Sequence, residues 1–399
     1  MKQRDGLGRE TLPPRLRKLM QSTSLGVVPS ARSAHLVRAA SPGSNALEHW
    51  NAYATASCTT FPDAGEIRLF PLVRYNLGED ENAAANQSWF ALETDYDAAQ
   101  DATLCAAQGR VTDILKAANV PFVWTKGTAL ATSIYADRAL RPSSDLDMLM
   151  PWDGLPALVV CAKDHGWNDK LGVTHFTNGR PSMRYRGSEV SWEMQDGVEL
   201  DVGWMPRLPF AYDPFAVDWI MATGAKADSH LANPTWLLIE AIEHGLNANI
   251  VSPIRWVVDA LWLIDRHGQD IDWEMLVTLT KRYHLACLMR VGMTVLQDFT
   301  DAIPETVMAQ ITALPISAVE MDEFAMRSTT LDHAARDLAS VRYNAVMRAP
   351  QSIYMKNKLS PRKGGTGVSL RLRGQIAARN LHARLIWPLA KRFTPTDLA

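Results

Sequence analysis

Apolar and polar positions along the 399-residue chain change period twice. From Ala46 to Ala118 the spacing is helical. Leu69, Phe70, Leu72 and Val73 cluster beside Pro71. Between Trp89 and Ala118, Leu92, Tyr96, Ala99, Leu104 and Val111 to Leu115 fall roughly on one helix stripe. Asn119-Val120-Pro121 ends that helix. From Pro121 to Pro214 the pattern shortens to strand length. Pro121-Phe-Val-Trp124 is a buried strand; Ala129 to Tyr135 is a short helix; Asp145-Leu-Asp-Met148 alternates. Trp152 to His165 returns to helix, with Gly166 as its stop. Thr174 to Thr177 and Met183 to Arg186 make a hairpin about Asn178-Gly179. Ser191 to Met194 and Val198 to Val202 are two more strands around Asp196-Gly197. Beyond Pro234 the helical period returns for good. Trp236–Leu246, Pro253–His267, Trp273–His284 and Cys287–Phe299 are predicted helices with short joins, the first capped by Asn233 with Pro234 in its first turn.

The ends of the chain carry less pattern. Met1 to Asn45 mixes Arg, Ser, Pro and Gly; Arg15 to Met20 predicts one short helix in an otherwise loosely ordered lead-in. Asp322 to Met347 is predicted helical, Ser360 to Gly367 is a glycine-rich linker, and Leu370 to Phe393 a basic, partly amphipathic helix. The reading is thus α+β, a small mixed β-sheet flanked by N-terminal helices and a C-terminal helical bundle. Its divisions are a lead-in over 1–45, a helical region over 46–120, a sheet-bearing core over 121–214, a bundle over 215–320 and a basic extension over 321–399.

Composition is that of an ordinary globular protein, and a net charge of −2 points to no partner. The charge distribution does: between Leu338 and Thr396 there are twelve Lys and Arg and no acid. That stretch either binds an anionic partner (nucleic acid, a membrane surface or an acidic peptide) or packs Leu372, Ile376, Leu385 and Trp387 on the bundle with its charges in water. Four dispersed cysteines form no Cys-x-x-Cys motif and suit reduced thiols in a cytoplasmic location. No apolar run reaches transmembrane length, and no secretory signal is expected; Asp5 and Glu10 count against a transit peptide.

Candidate chemistry concentrates between Trp124 and Met150. Gly127 lets the backbone turn tightly, and the following helix aims free N–H groups back over Gly127 and Thr128, where phosphates could be cradled. On a strand, Asp145 and Asp147 share a face, about 6–7 Å apart. Two such carboxylates repel unless a cation lies between them, and a hard divalent ion answers that need. Lys126 and Arg141 either contact phosphates or hold the loop by charge pairing. Ser144 is equally a loop cap or a ligand contact. Arg255 and Asp259, four apart, are placed to pair on their helix.

Lys126-Gly127, Tyr135, Arg141-Pro142 and Ser144-Asp145-Leu146-Asp147 resemble the bacterial uncharacterised nucleotidyltransferase family, within the superfamily related to DNA polymerase β. Phe70-Pro71-Leu72, His244, Arg255-Trp256 and Asp259 extend the resemblance over roughly residues 46 to 300. It implies Asp145, Asp147 and Asp201 as catalytic metal ligands for two Mg2+, with Glu199 as the fallback for the third acid. It also implies Lys126, Gly127, Thr128, Arg141 and Ser144 as nucleotide contacts. Gly203 stands where the family commonly has His, and Thr128 where the superfamily has Ser. His244 and His175 are read as structural or substrate-lining. The implied activity is transfer of a nucleoside monophosphate from an NTP, ATP being expected, to a hydroxyl or phosphate on a small molecule, peptide or protein. Two other readings compete: a degenerate scaffold acting as a nucleotide-sensing or antitoxin-like binding module, and RNA-directed nucleotide addition prompted by the basic tail.

Overall fold

The structure, a computed structural model, describes residues 12–329 except 25, 58–60, 79–93, 171–173, 178–179, 184–188, 205–213 and 225–229. The basic stretch, the glycine-rich linker and the Asn178-Gly179 turn lie outside the described residues.

Among the described residues six helices precede the sheet: α1 (Pro14–Gln21), α2 (Ala31–Ala40), α3 (Ala46–Ala56), α4 (Ala64–Ile67), α5 (Phe70–Leu77) and α6 (Thr94–Ala117). Helix α2 occupies a segment expected to be loosely ordered. Ser30 caps it in a reciprocal capping box with Ser33, and Leu36, Val37, Ala39 and Ala40 are fully buried. Its small residues give a weak amphipathic pattern, and its order comes from what it packs against. Trp256 Nε1 donates to Val27 O at 3.0 Å and Trp262 Nε1 to Ala40 O at 2.9 Å. The start of the described chain is thereby fastened to the bundle that follows the sheet.

The strands are β1 (Val123–Trp124), β2 (Asp145–Leu149), β3 (Asn168–Asp169), β4 (Thr174–Thr177), β5 (Arg180–Met183), β6 (Glu189–Glu193) and β7 (Glu199–Gly203). Five form one sheet in the order β1-β2-β7-β6-β3, and β4 pairs with β5 separately. Among the described strands β2 and β7 pair in parallel and the other strand pairs are antiparallel, while a parallel bridge joins Trp124 of β1 to Leu231. Alternation sets the two faces of the central pair: Leu146, Met148, Leu200 and Val202 are buried on one side, while the acids of both strands occupy the other.

Between β1 and β2 lies α7 (Lys126–Ser133), and between β2 and β3 lies α8 (Leu155–Asp164), with Gly166 at φ +66° just beyond it. After the sheet come α9 (Pro214–Gly224), α10 (Pro234–Gly245), α11 (Arg255–His267), α12 (Trp273–Arg282), α13 (Ala286–Gln297), α14 (Glu305–Ala313) and α15 (Ala318–Thr329). Asn233 Oδ1 accepts from Trp236 N at 2.9 Å, the cap expected for α10 and worth about 1 kcal/mol. The long helix predicted from Asp322 begins earlier, as α15, and its course past Thr329 lies outside the described residues. One continuous apolar core runs from Leu12 through the sheet to Phe324. The architecture is α+β.

Helices α10 and α11 meet closely at Gly245. A Cβ there would stand 2.0 Å from Trp256 Cγ, and the Trp256 ring is pinned by its bond to Val27 O. Gly245→Ala is therefore expected to lower unfolding free energy by about 1–3 kcal/mol, the usual scale of overpacking. Urea titration of the two proteins checks it.

Candidate active site

Register on the parallel pair builds the site. Asp145 lies opposite Glu199 and Asp147 opposite Asp201. With side chains alternating, Asp145, Asp147 and Asp201 emerge on the same face, and each offers a carboxylate oxygen within 4.8 Å of the others. Three hard oxygen donors at that spacing fit a divalent cation such as Mg2+ or Ca2+. Asp147 is buried, Asp145 and Asp201 half-buried. Burial first, then the charge of Asp147, raises the Asp145 carboxyl above its ordinary value, against the pull of Lys126. Ser191, directly opposite Asp201 on β6, donates its hydroxyl to Asp201 Oδ1. Glu199, the alternative third acid, is instead paired with Lys170 at 2.8 Å.

Helix α7 leans its first turn over these acids. Lys126 Nζ reaches Asp147 Oδ1 at 2.9 Å. The sharp turn into the helix falls on Lys126, at φ +43°, and not on Gly127, which the sequence reading expected to turn. Gly127 serves another end. It sits within the helix, and a Cβ there would stand 2.7 Å from Arg141 Nη1. Thr128 is fully buried, and its hydroxyl accepts the Asp147 backbone N–H at 2.8 Å, tying α7 to β2. The N–H groups of Gly127 and Thr128 belong to the helix's first turn, where no intrahelical acceptor exists.

Glu240 on α10 completes this arrangement. Its Oε2 accepts the Thr125 hydroxyl and, at 2.9 Å, the Lys126 backbone N–H. Burial pushes the Glu240 carboxyl up to about 7, with the nearby Lys126 charge working the other way. His244 lies one turn further along α10 and is exposed to solvent.

Arg141 is almost fully buried and forms a bidentate pair with Asp259, both bonds 2.9 Å. Tyr135 donates to the same carboxylate at 2.7 Å, and Arg255 Nη1 donates to Pro142 O. Asp259 thus pairs with Arg141 and not along its own helix with Arg255. Burial works to raise the Asp259 carboxyl, but the charge and hydrogen bonds of Arg141, with Arg255 and Tyr135, hold it below the ordinary range. Arg255 itself is lowered to about 9, by burial and then by Arg141. This cluster braces the loop between α7 and β2.

Of the candidate residues, Asp145, Asp147, Asp201 and Lys126 converge. Gly127, Thr128 and Arg141 pack beneath and beside them, and Ser144 is exposed, its hydroxyl 3.4 Å from Asp145 Oδ1. His175 lies on β4, and its side chain is outside the described residues. Sequence reasoning passed over Thr125, Ser191 and Glu240. The signal for Glu240 was an acid inside the run Leu237-Leu-Ile-Glu-Ala-Ile242, all of it buried.

A small mixed sheet with an Asp-x-Asp strand, a third aspartate in register on the parallel neighbour and a helix N-terminus beside them is the core of a nucleotidyltransferase-like protein. The chain belongs to the uncharacterised nucleotidyltransferase family, whose sequence model matches residues 64–301. No curated protein matches it.

The Glu240 carboxyl has its pKa raised on folding, from 4.5 to about 7. The stability tied to its protonation is fully present below pH 4.5 and lost as pH rises through about 7. Glu240→Gln keeps the acceptor oxygen and removes the charge. Its stability relative to the unmodified protein is expected to climb across that window to a gain of up to about 3 kcal/mol. Denaturant melts at pH 5 and pH 8 check the sign.

Proposed function

We propose that this protein is a metal-dependent nucleotidyltransferase that moves a nucleoside monophosphate from an NTP to an acceptor hydroxyl or phosphate, releasing pyrophosphate. The observation that carries this reading is the convergence of Asp145, Asp147 and Asp201 within 4.8 Å on two parallel strands. The family match over residues 64–301 supports the nucleotide as substrate. When bound to these acids, Mg2+ supplies Lewis-acid stabilisation of the phosphates and a lowered acceptor-hydroxyl pKa.

The protein's own groups do the rest. Asp145 and Asp147 hold the cation site toward the triphosphate, and Asp201 shares it toward the acceptor. Lys126, with its ammonium beside Asp147, meets the triphosphate oxygens as charge shifts onto the leaving pyrophosphate. The N–H groups of Gly127 and Thr128 add unspent donors at the positive end of α7. Arg141 acts indirectly, by bracing the loop from which β2 departs. The acceptor oxygen attacks the α-phosphorus, and the bond to the bridging oxygen breaks in line with it. ATP is the expected nucleotide, and the acceptor is a small molecule, a peptide or a protein, in a cytoplasmic setting.

Incubating the protein with each α-labelled NTP, Mg2+ and cell extract tests the reading; the expected result is label transferred to an extract component. Nucleotide binding without any transfer would favour a sensing module over an enzyme. Asp147→Asn keeps the shape of the side chain and its backbone bond to Thr128. It is expected to cut transfer by about 10²–10³-fold or more, the scale of losing one transition-state charge partner. A circular-dichroism spectrum like that of the unmodified protein, with a cooperative melt, would show that the fold is kept. An active Asp147→Asn protein would place the chemistry elsewhere.

A further inference from the structure

Lys126 is in the left-handed region at φ +43° without being glycine, a conformation that costs on the order of 1–3 kcal/mol and persists only when its surroundings enforce it. Glu240 supplies those surroundings. Glu240 Oε2 takes two donors from consecutive residues, the Thr125 hydroxyl and the Lys126 backbone N–H. Glu240 is only 9 % exposed, on a helix whose neighbouring positions Leu237, Leu238, Ile239, Ala241 and Ile242 are all buried apolar residues. An acid in that company is a packing liability unless its hydrogen bonds are needed.

We propose that Glu240 is the positioning residue of this site: through one carboxylate oxygen it holds Lys126 in its left-handed turn and thereby sets the Lys126 ammonium against Asp147. With that bond lost, the Lys126 backbone relaxes toward an ordinary conformation and its side chain leaves the acids. The anchor is rigid. Helix α10 is capped by Asn233 and packed against α11 through Gly245 and Trp256, so the catalytic turn takes its reference from the bundle and not from its own short loop. What the placed ammonium then does, meeting the triphosphate, rests on the nucleotidyl-transfer reading.

The test measures Lys126 directly, in the full-length protein without nucleotide or metal. Limited acetylation with acetic anhydride, quantified lysine by lysine by mass spectrometry, reads how well the Lys126 ammonium is held. Glu240→Gln retains an accepting oxygen and is expected to leave Lys126 as slow to react as in the unmodified protein. Glu240→Met has similar volume but offers only a weakly accepting thioether, and is expected to raise Lys126 acetylation several-fold while Lys163 and Lys170 keep their rates. A merely structural loss would move all three. Unchanged Lys126 labelling in Glu240→Met, or an equal rise in Glu240→Gln, would overturn the proposal. Should Glu240→Met fail to fold, hydrogen exchange of the Lys126 backbone amide in the unmodified protein reads the same bond. A protected amide supports the latch, and an unprotected one overturns it. Because no nucleotide is present, this pattern intact in a protein that never turns over an NTP would count against the transfer reading alone.

Discussion

Repulsion among three carboxylates is the constraint around which this molecule is built. Asp145, Asp147 and Asp201 bring oxygens within 4.8 Å of one another. At that separation each pair of full charges costs about 3–4 kcal/mol near a protein surface. A parallel ladder between β2 and β7 enforces the spacing, because register leaves Asp147 and Asp201 no freedom to part. Partial relief comes from Lys126 on Asp147 and Ser191 on Asp201. The remaining deficit of positive charge is what makes the cluster suited to a divalent cation and, with it, to a triphosphate.

The scaffold around the acids is best understood as what keeps that spacing and its counter-charge in place. Helix α7 is joined to β2 by the Thr128 hydroxyl, and to α10 by Glu240. The loop between α7 and β2 is braced by Arg141, Asp259, Tyr135 and Arg255. A buried ion pair of this kind contributes little net stability compared with apolar packing. Its bidentate geometry does hold one loop in one conformation, and that loop feeds directly into the Asp-x-Asp strand.

Much of this was legible from spacing alone. Period-2 alternation put Asp145 and Asp147 on one face with Leu146 and Met148 on the other, and Asn233 before a proline announced α10. These features are local: each depends on a handful of adjacent residues obeying strand or helix geometry. Helix α2 was not legible, because its Ala-rich face is weakly patterned and its order comes from Trp256 and Trp262, more than 200 residues away. The left-handed turn falls on Lys126 and not on Gly127 for the same reason. Glycine is the default for a left-handed residue, and a distant carboxylate overrode that default.

By itself, then, the amino-acid sequence determined the α+β class, the Asp-x-Asp strand and the family, because periodicity and short motifs are written in neighbouring residues. Only the tertiary structure decided that Asp201 meets the other two acids, that Arg141 spends its charge on Asp259, and that Glu240 reaches the turn at Lys126. Each of those is a contact between residues 54 to 118 positions apart, counted from Asp147, Arg141 and Thr125 or Lys126. Such pairings are set by strand order and helix packing, which no local pattern encodes.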